Sequence, residues 1–344
     1  MEKRLLLALH RRPVDRPPFW FMRQAGRYLP EYQKLRRRQP DFLRFCYTPE
    51  LALEATLQPL RRFQPDAAIL FSDILVIADA LGRNVRFVEG QGPVLDPLTG
   101  NADLRALSAE RIEQHLAPVY AAVAEIAAAL PAATGLIGFA GAPWTMALYM
   151  VEGRGGTDGA KARTWAYADP AGFGRLIEIL VEATVRHLSA QITHGAEVVQ
   201  LFDSWAGLLA ADSFRHWVIA PTVGIVRRLR RLHPKVPIIG FPRGAGLLYG
   251  EYAATTGVDA VGLDAAVPAE WAASALQPRC AVQGNLDNYL LKVGGAALDR
   301  ATEHLVAVLG KGPFVFNLGH GVLPETPPEH VMQVAERLRA LAVA

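Results

Sequence analysis

Eight short apolar runs punctuate this chain, and most are continuous rather than alternating: Pro17 to Met22, Ala67 to Phe71, Leu136 to Ala140, Glu197 to Phe202, Val236 to Phe241, Ala260 to Leu263, Cys280 to Val282 and Phe314 to Phe316. A strand with one wet face alternates apolar and polar residues. A strand covered on both faces does not, and parallel sheets flanked by helices are covered on both. Helical patterns fill the intervals. Thr48-Pro49-Glu50 supplies a cap and a first-turn proline ahead of Leu51 to Phe63, and Thr326-Pro327-Pro328-Glu329 reads as a capping box opening the last helix. Strand and helix thus alternate along the whole length, with spacings that suit repeated right-handed crossovers. The expected fold class is α/β: a single (β/α)8 TIM barrel spanning 1–344 as one domain, although a doubly wound sheet carries the same signature. Between Arg83 and Pro97, the residues Val85, Phe87, Val88 and Val94 around Gly90-Gln91-Gly92 predict a small β-hairpin inserted after the second strand.

Composition narrows the function. With 51% apolar and 20% charged residues there is material for a large core and little room for disorder. A net charge of +3 does not call for a polyanionic partner. The clusters Arg36-Arg37-Arg38 and Arg227-Arg228-Arg230-Arg231 read as solvated helix faces, so nucleic acid is not expected. Cys46 and Cys280 lie far apart without paired spacing, which fits a reducing compartment and offers no zinc site. Leu5 to Leu9 is too short for an export signal, and no long uncharged apolar segment follows, so the expected location is the cytoplasm with no membrane partner.

What stands after each run points to a site. Arg23 follows the first, Asp73 the second, Asp203-Ser204 the fourth, Arg243 the fifth, Asp264 the sixth, Asn285 and Asp287 the seventh, and Asn317 and His320 the eighth. A barrel of this kind keeps its active site on that face. Asp and Asn also cap helices, so each alone is ambiguous; the argument is their convergence on one mouth with Arg23 and Arg27. Those arginines, four residues apart in Met22-Arg23-Gln24-Ala25-Gly26-Arg27-Tyr28-Leu29-Pro30, present permanently charged planar forks suited to a carboxylate-bearing ligand. Gly26 between them is expected to let the backbone approach it closely.

Met22 to Tyr32, Phe71 to Leu75, Gly138 to Thr145, Tyr149 to Gly153, Leu201 to Gly207, Gln283 to Asp287 and Asn317 to Gly321 together resemble the uroporphyrinogen decarboxylase family, over nearly the entire chain. The resemblance implies a (β/α)8 barrel, usually a homodimer, acting without cofactor or metal in haem and related tetrapyrrole synthesis. It implies loss of carbon dioxide from the acetate arms of uroporphyrinogen III to give coproporphyrinogen III. Carried over by position, it places the substrate on Arg23, Gln24, Ala25, Gly26 and Arg27, on Asp73 at the centre, and on Tyr149, Ser204 and His320 around the rim, with Asp73, Tyr149 and Arg27 as the catalytic set. Four positions depart from the family pattern: Arg243 where a lysine is common, Asn288 where a proline often follows the Gly-Asn-Leu-Asp motif, Arg154 in a Gly-rich stretch, and Tyr47 where a basic residue is frequent.

The chemistry suits these residue types. An acetate arm has no electron sink of its own, so the pyrrole ring must accept the electrons after protonation at a ring carbon. A carboxylate aimed at the pyrrole N–H groups stabilises that cation, and Asp73 is the candidate. At about 4 Å and an effective dielectric near 20, opposite charges interact by roughly 4 kcal/mol, about a thousandfold in rate. Tyr149 is expected to hydrogen-bond Asp73 or a reacting acetate, with Ser204 and His320 orienting acid arms. The residues leave open whether His320 or an arginine-held water delivers the proton. Rival readings are a barrel glycosidase using Asp203 and Asp287, a Schiff-base aldolase, a zinc methyltransferase and a tetrapyrrole carrier. Two arginines beside the first strand, Arg23 and Arg27, are hard to justify for an uncharged sugar, no lysine stands at an expected strand end, and neither cysteine has a histidine two residues before it.

Overall fold

The computed structural model describes residues 2–341. Its strands are β1 (Ala67–Ile69), β2 (Arg86–Val88), β3 (Gly92–Val94), β4 (Gly135–Gly141), β5 (Val198–Asp203), β6 (Ile238–Pro242), β7 (Ala260–Gly262), β8 (Ala281–Leu286) and β9 (Phe314–Leu318). Seven of them form one parallel sheet in the order β1-β4-β5-β6-β7-β8-β9, with helices in every crossover. Apart from Ile69 at the end of β1, every residue of these seven strands is buried. Helices on the outside and side chains on the inside keep both faces from water, which is why the runs are continuous.

Two runs extend further than apolarity suggests. β8 continues through Gln283 and Asn285, and β9 through Asn317, all three buried. Gln283 is bonded at both ends of its amide: Trp20 Nε1 donates to Gln283 Oε1 at 2.9 Å, and Gln283 Nε2 donates to Gln200 Oε1 at 3.1 Å, whereas Asn285 Oδ1 and Asn317 Nδ2 have no partner among the described residues.

The first run does not become a regular strand. Phe19 makes a single parallel bridge to Phe316. Phe316 N–H donates to Pro18 O at 2.8 Å and Trp20 N–H to Phe316 O at 3.3 Å, while on the other side Asp66 N–H donates to Phe19 O at 2.9 Å. The segment therefore touches both edges of the sheet, β9 and the residue before β1. Pro17 and Pro18 lack N–H groups, and Phe19 N–H is taken by the Asp66 carboxylate at 3.0 Å, so no longer ladder forms. Asp66 is in turn held by Arg16 at 2.7 and 2.9 Å.

β2 and β3 pair antiparallel in the crossover between β1 and β4, with Arg86 opposite Val94 and Val88 opposite Gly92. Gly90 and Gly92 have φ of 76° and 77°, the left-handed backbone that such a turn requires. Both helix starts differ in detail from expectation. Thr48 makes no cap, because its hydroxyl bonds back to Arg44 O at 2.7 Å. The last helix, Pro328–Ala340, begins one residue later than the sequence pattern implied, with Pro327 as its cap and the Thr326 hydroxyl without a hydrogen-bond partner among the described residues. Among the described residues no helix is long and apolar enough to cross a membrane.

Candidate active site

The site is built from the carboxyl ends of the strands, beginning with the turn after the first run. Gln24 N–H donates to Phe21 O at 2.8 Å, Gln24 Oε1 accepts from Phe21 N–H at 3.2 Å, and Gln24 Nε2 donates to Ala67 O at 3.2 Å. Met22 N–H donates to Asn317 Oδ1 and Val322 N–H to Met22 O, each at 2.9 Å. The turn is thereby tied to β1 and to the loop after β9. The buried Gln24 amide holds the turn through one bond at each end, so its side chain shapes the turn that carries Arg23 and Arg27.

Arg23, not Gly26, adopts a left-handed conformation, φ 62°, a strained state for a non-glycine residue that costs on the order of 1–3 kcal/mol. A Cβ at Gly26 would meet only Arg23 O at 3.3 Å and the Tyr28 ring beyond. The Arg23 stem instead lies across Gly321, where any side chain would collide with it. Within the described residues the N–H groups of Ala25, Gly26 and Arg27 donate to no acceptor, and the exposed guanidiniums of Arg23 and Arg27 form neither ion pair nor hydrogen bond.

Asp73 follows β1. Its Oδ1 accepts from Leu75 N–H at 2.8 Å, and it makes no ion pair among the described residues. It keeps a small solvent-accessible face while densely surrounded by protein. Burial raises its pKa above the usual carboxylate range, opposed by the Leu75 N–H and by Arg23. Arg23 is the arginine that acts on it. The Arg23 guanidinium, which reaches solvent while closely surrounded by protein, is itself pushed down by that surrounding burial, favoured by Asp73 and Tyr149 and disfavoured by Arg27 and Arg243.

Tyr149 sits on the helix Pro143–Glu152. Burial raises its phenol, Asp73 adds to that, and Trp205 and Arg23 oppose it. The Trp205 ring lies 6.4 Å away at 68°, and a Cβ at Gly155 would stand 2.8 Å from Tyr149 Cε1. Trp205 is held by its main chain: its N–H donates to Thr145 Oγ1 at 3.1 Å and its carbonyl accepts from Trp144 Nε1 at 3.0 Å. Thr145 donates in turn to Asp203 Oδ1 at 2.6 Å. Ser204, half-buried between Asp203 and Trp205, makes no hydrogen bond among the described residues. The fully surrounded Asp203 carboxyl is pushed up to about 7 by burial.

His320, half-buried after β9, is brought down to about 4 by burial, then by Arg23 and Arg243. It is neutral at pH 7.

Electrostatic influence thus ties Arg23, Arg27, Asp73, Tyr149, His320 and Arg243 into one cluster, and Ser204 follows β5 next to Trp205, whose ring lies against Tyr149. Other strand-end residues serve the fold. Asp264 accepts from Gly244 N–H and Tyr249 O–H, both at 2.8 Å; Asn285 donates to Asp264 O and Val267 O; Asp287 caps Tyr289 N–H at 2.9 Å; Asn317 holds Met22. Asp203 and Asp287 are therefore separately engaged rather than a free catalytic pair. Tyr47 turns to Asp79 at 2.6 Å, and Arg154 is exposed. Sequence reasoning missed Thr145 and Trp205, whose apolar helical and aromatic setting reads as core.

The family model described as uroporphyrinogen decarboxylase (URO-D) matches residues 1–341. The chain belongs to the uroporphyrinogen decarboxylase family. A uroporphyrinogen decarboxylase of Rhodospirillum rubrum is 53% identical over 339 residues, covering 98% of this chain and 97% of that one. One of Sphingopyxis alaskensis is 54% identical over 337 residues, covering 98% of each. Among solved structures, a methyltransferase from Methanosarcina mazei superposes with a TM-score of 0.81 over 98% of this chain and 97% of its own, at 19% identity, a likeness of fold alone.

Proposed function

We propose that this member of the uroporphyrinogen decarboxylase family removes carbon dioxide from the acetate arms of uroporphyrinogen III, giving coproporphyrinogen III in tetrapyrrole synthesis. Family membership and the identity to named decarboxylases support the reaction. The observation that carries it at the level of chemistry is one unpaired, largely desolvated carboxylate, Asp73, beside guanidiniums that have no acid of their own.

In each cycle a pyrrole ring carbon takes a proton and the ring becomes an iminium-like cation. The carbon–carbon bond to the carboxylate then breaks, its electrons neutralise the ring, and carbon dioxide leaves. Protonation of the resulting exocyclic methylene and loss of the ring proton give a methyl-bearing pyrrole. The substrate's own ring is the electron sink, so the scheme calls for no cofactor. Asp73 Oδ2, left free by the Leu75 bond to Oδ1, is placed to accept pyrrole N–H groups and to stabilise the cation. Binding such donors favours the ionised form that burial alone disfavours. Arg23 and Arg27, with the free N–H groups of Ala25, Gly26 and Arg27, suit the peripheral acids. Tyr149 is placed to donate toward Asp73 or a reacting acetate, and Ser204 to orient an arm. His320, neutral in the free chain, enters as a hydrogen-bond partner rather than a standing acid.

The finer architecture belongs to the same reading. The segment around Phe19 acts as the eighth strand that closes the barrel, supported by its bonds to both sheet edges, and the β2–β3 hairpin is an insertion on a single domain. A homodimer in the cytoplasm is supported by the exposed Leu247 and Tyr289 on the short helices Gly246–Leu248 and Asn288–Val293 that follow β6 and β8, and by two buried, unpaired cysteines. The deciding assay is anaerobic incubation with uroporphyrinogen III, followed by oxidation and separation by carboxyl number. Stepwise loss of carboxyl groups down to coproporphyrin is expected. Return of the octacarboxylate unchanged would leave a carrier and sink the reaction.

A further inference from the structure

Arg243 has an unusually fixed main chain and an unattached side chain. The register that pairs Asp203 with Pro242 sets it beside Ser204. Its N–H donates to Asp203 O at 3.1 Å, and its carbonyl accepts from Gly207 N–H at 3.0 Å. Gly207 and Gly244 pack so closely that a Cβ at Gly207 would stand 2.8 Å from Gly244 O, which clamps the loop on both sides. The half-buried guanidinium nonetheless has no ion pair or hydrogen bond among the described residues.

The neighbouring acid does not neutralise it. Asp264 commits Oδ2 to Gly244 N–H and Tyr249 O–H, and Oδ1 to Ala266 N–H at 3.0 Å. The Arg243 charge instead reaches two other site groups, Arg23 and His320, and weakens the protonated form of both. It has no such influence on Asp73. Packing sets the three side by side: Gly244 N–H is bonded to Asp264, a Cβ at Gly319 would stand 2.3 Å from Ala265 N, and one at Gly321 2.3 Å from Arg23 Cδ, so the loop carrying His320 lies between the Arg243 loop and Arg23. Two cations without acids beside a neutral imidazole form an arrangement that an anion completes.

We propose that Arg243 and Arg23, flanking His320, form a carboxylate subsite that grips a peripheral acid arm of the substrate and sets how tightly polyacids bind. This deepens the decarboxylase reading and rests on it for the identity of the ligand. Because Arg243 follows β6, three strands along the sheet from β1, whose end carries Asp73, its contribution falls on binding rather than on the chemical step. The planar fork takes a carboxylate through two bonds, which a lysine cannot reproduce.

The test uses the full chain with R243A, R243Q and R243K, reading KM and kcat on uroporphyrinogen III and, separately, fluorescence titration with uroporphyrin. Losing a charge-assisted contact raises KM and the uroporphyrin Kd of R243A and R243Q by roughly ten- to a hundredfold with kcat within about threefold, and R243K recovers part of the loss. KM and Kd within about twofold of wild type, or a fall in kcat at unchanged KM, overturn the subsite. If R243A does not fold, the other two variants decide. Wild type that decarboxylates while all variants match it removes the subsite and keeps the reaction. Wild type that binds uroporphyrin in an Arg243-dependent way without decarboxylating it removes the reaction and keeps the subsite.

Discussion

Asp203→Asn isolates the cost of a buried carboxyl beneath the site. The group is 3% exposed, its Oδ1 takes the Thr145 hydroxyl, and its Oδ2 has no partner. Burial lifts it from 3.8 to about 7. In the unfolded chain it therefore loses its proton near pH 4, while in the folded chain it keeps it to near neutrality. The folded state binds the extra proton in between, so stability is fully present below about pH 4, falls as pH rises, and levels off above about pH 7. A difference of about three pH units at about 1.4 kcal/mol each makes the loss on the order of 4 kcal/mol. Asparagine is a neutral isostere that still accepts from Thr145, and it carries no such penalty. The variant is expected to match wild type near pH 4 and to exceed it progressively up to about pH 7, by at most about 4 kcal/mol. Urea unfolding midpoints of both proteins in matched buffers from pH 4 to 8.5 give the difference directly, since other titrations cancel. A difference that stays flat with pH would refute the reasoning.

Three further outcomes follow from the geometry. Asp73→Asn should lower kcat by roughly a thousandfold with little change in KM, and equal losses in both would show that Asp73 only positions the ring. Arg27→Ala should chiefly raise KM for uroporphyrinogen III, by about tenfold, and a wild-type KM would remove it from the ligand shell. Gly155→Ala puts a methyl 2.8 Å from Tyr149 Cε1. It should cut turnover by displacing the phenol while thermal stability changes by only about 1 kcal/mol; unchanged turnover would mean that Tyr149 has no fixed part in the reaction.

The sheet was readable from the chain because doubly covered strands leave continuous apolar runs, and seven of the eight runs became strands of that sheet. The limits of β8 and β9 were not readable, because Gln283 and Asn317 look like strand ends until Trp20, Gln200 and Met22 arrive from distant parts of the chain to satisfy them. The same long reach hid which strand-end acids were caps: Asp264 is occupied by Gly244 and Tyr249, partners that no local pattern announces. Arg23 and Asp73 were legible because charge at a strand end is costly without a purpose. Tyr149, in an apolar helix, came only through family resemblance. The left-handed backbone at Arg23 was not legible, since glycine is the usual residue at positive φ and a left-handed arginine leaves no compositional trace.

The stretch from Pro18 to Arg27 joins two tasks. Its front holds β9 on one side and the residue before β1 on the other, and its rear carries the cations Arg23 and Arg27. On the proposed reading, a polyacid drawn onto them also tightens the seam behind, and amide exchange at Trp20 and Asp66 is expected to slow when the pocket is filled. Occupancy of the mouth and the strength of that seam then become two readings of a single equilibrium.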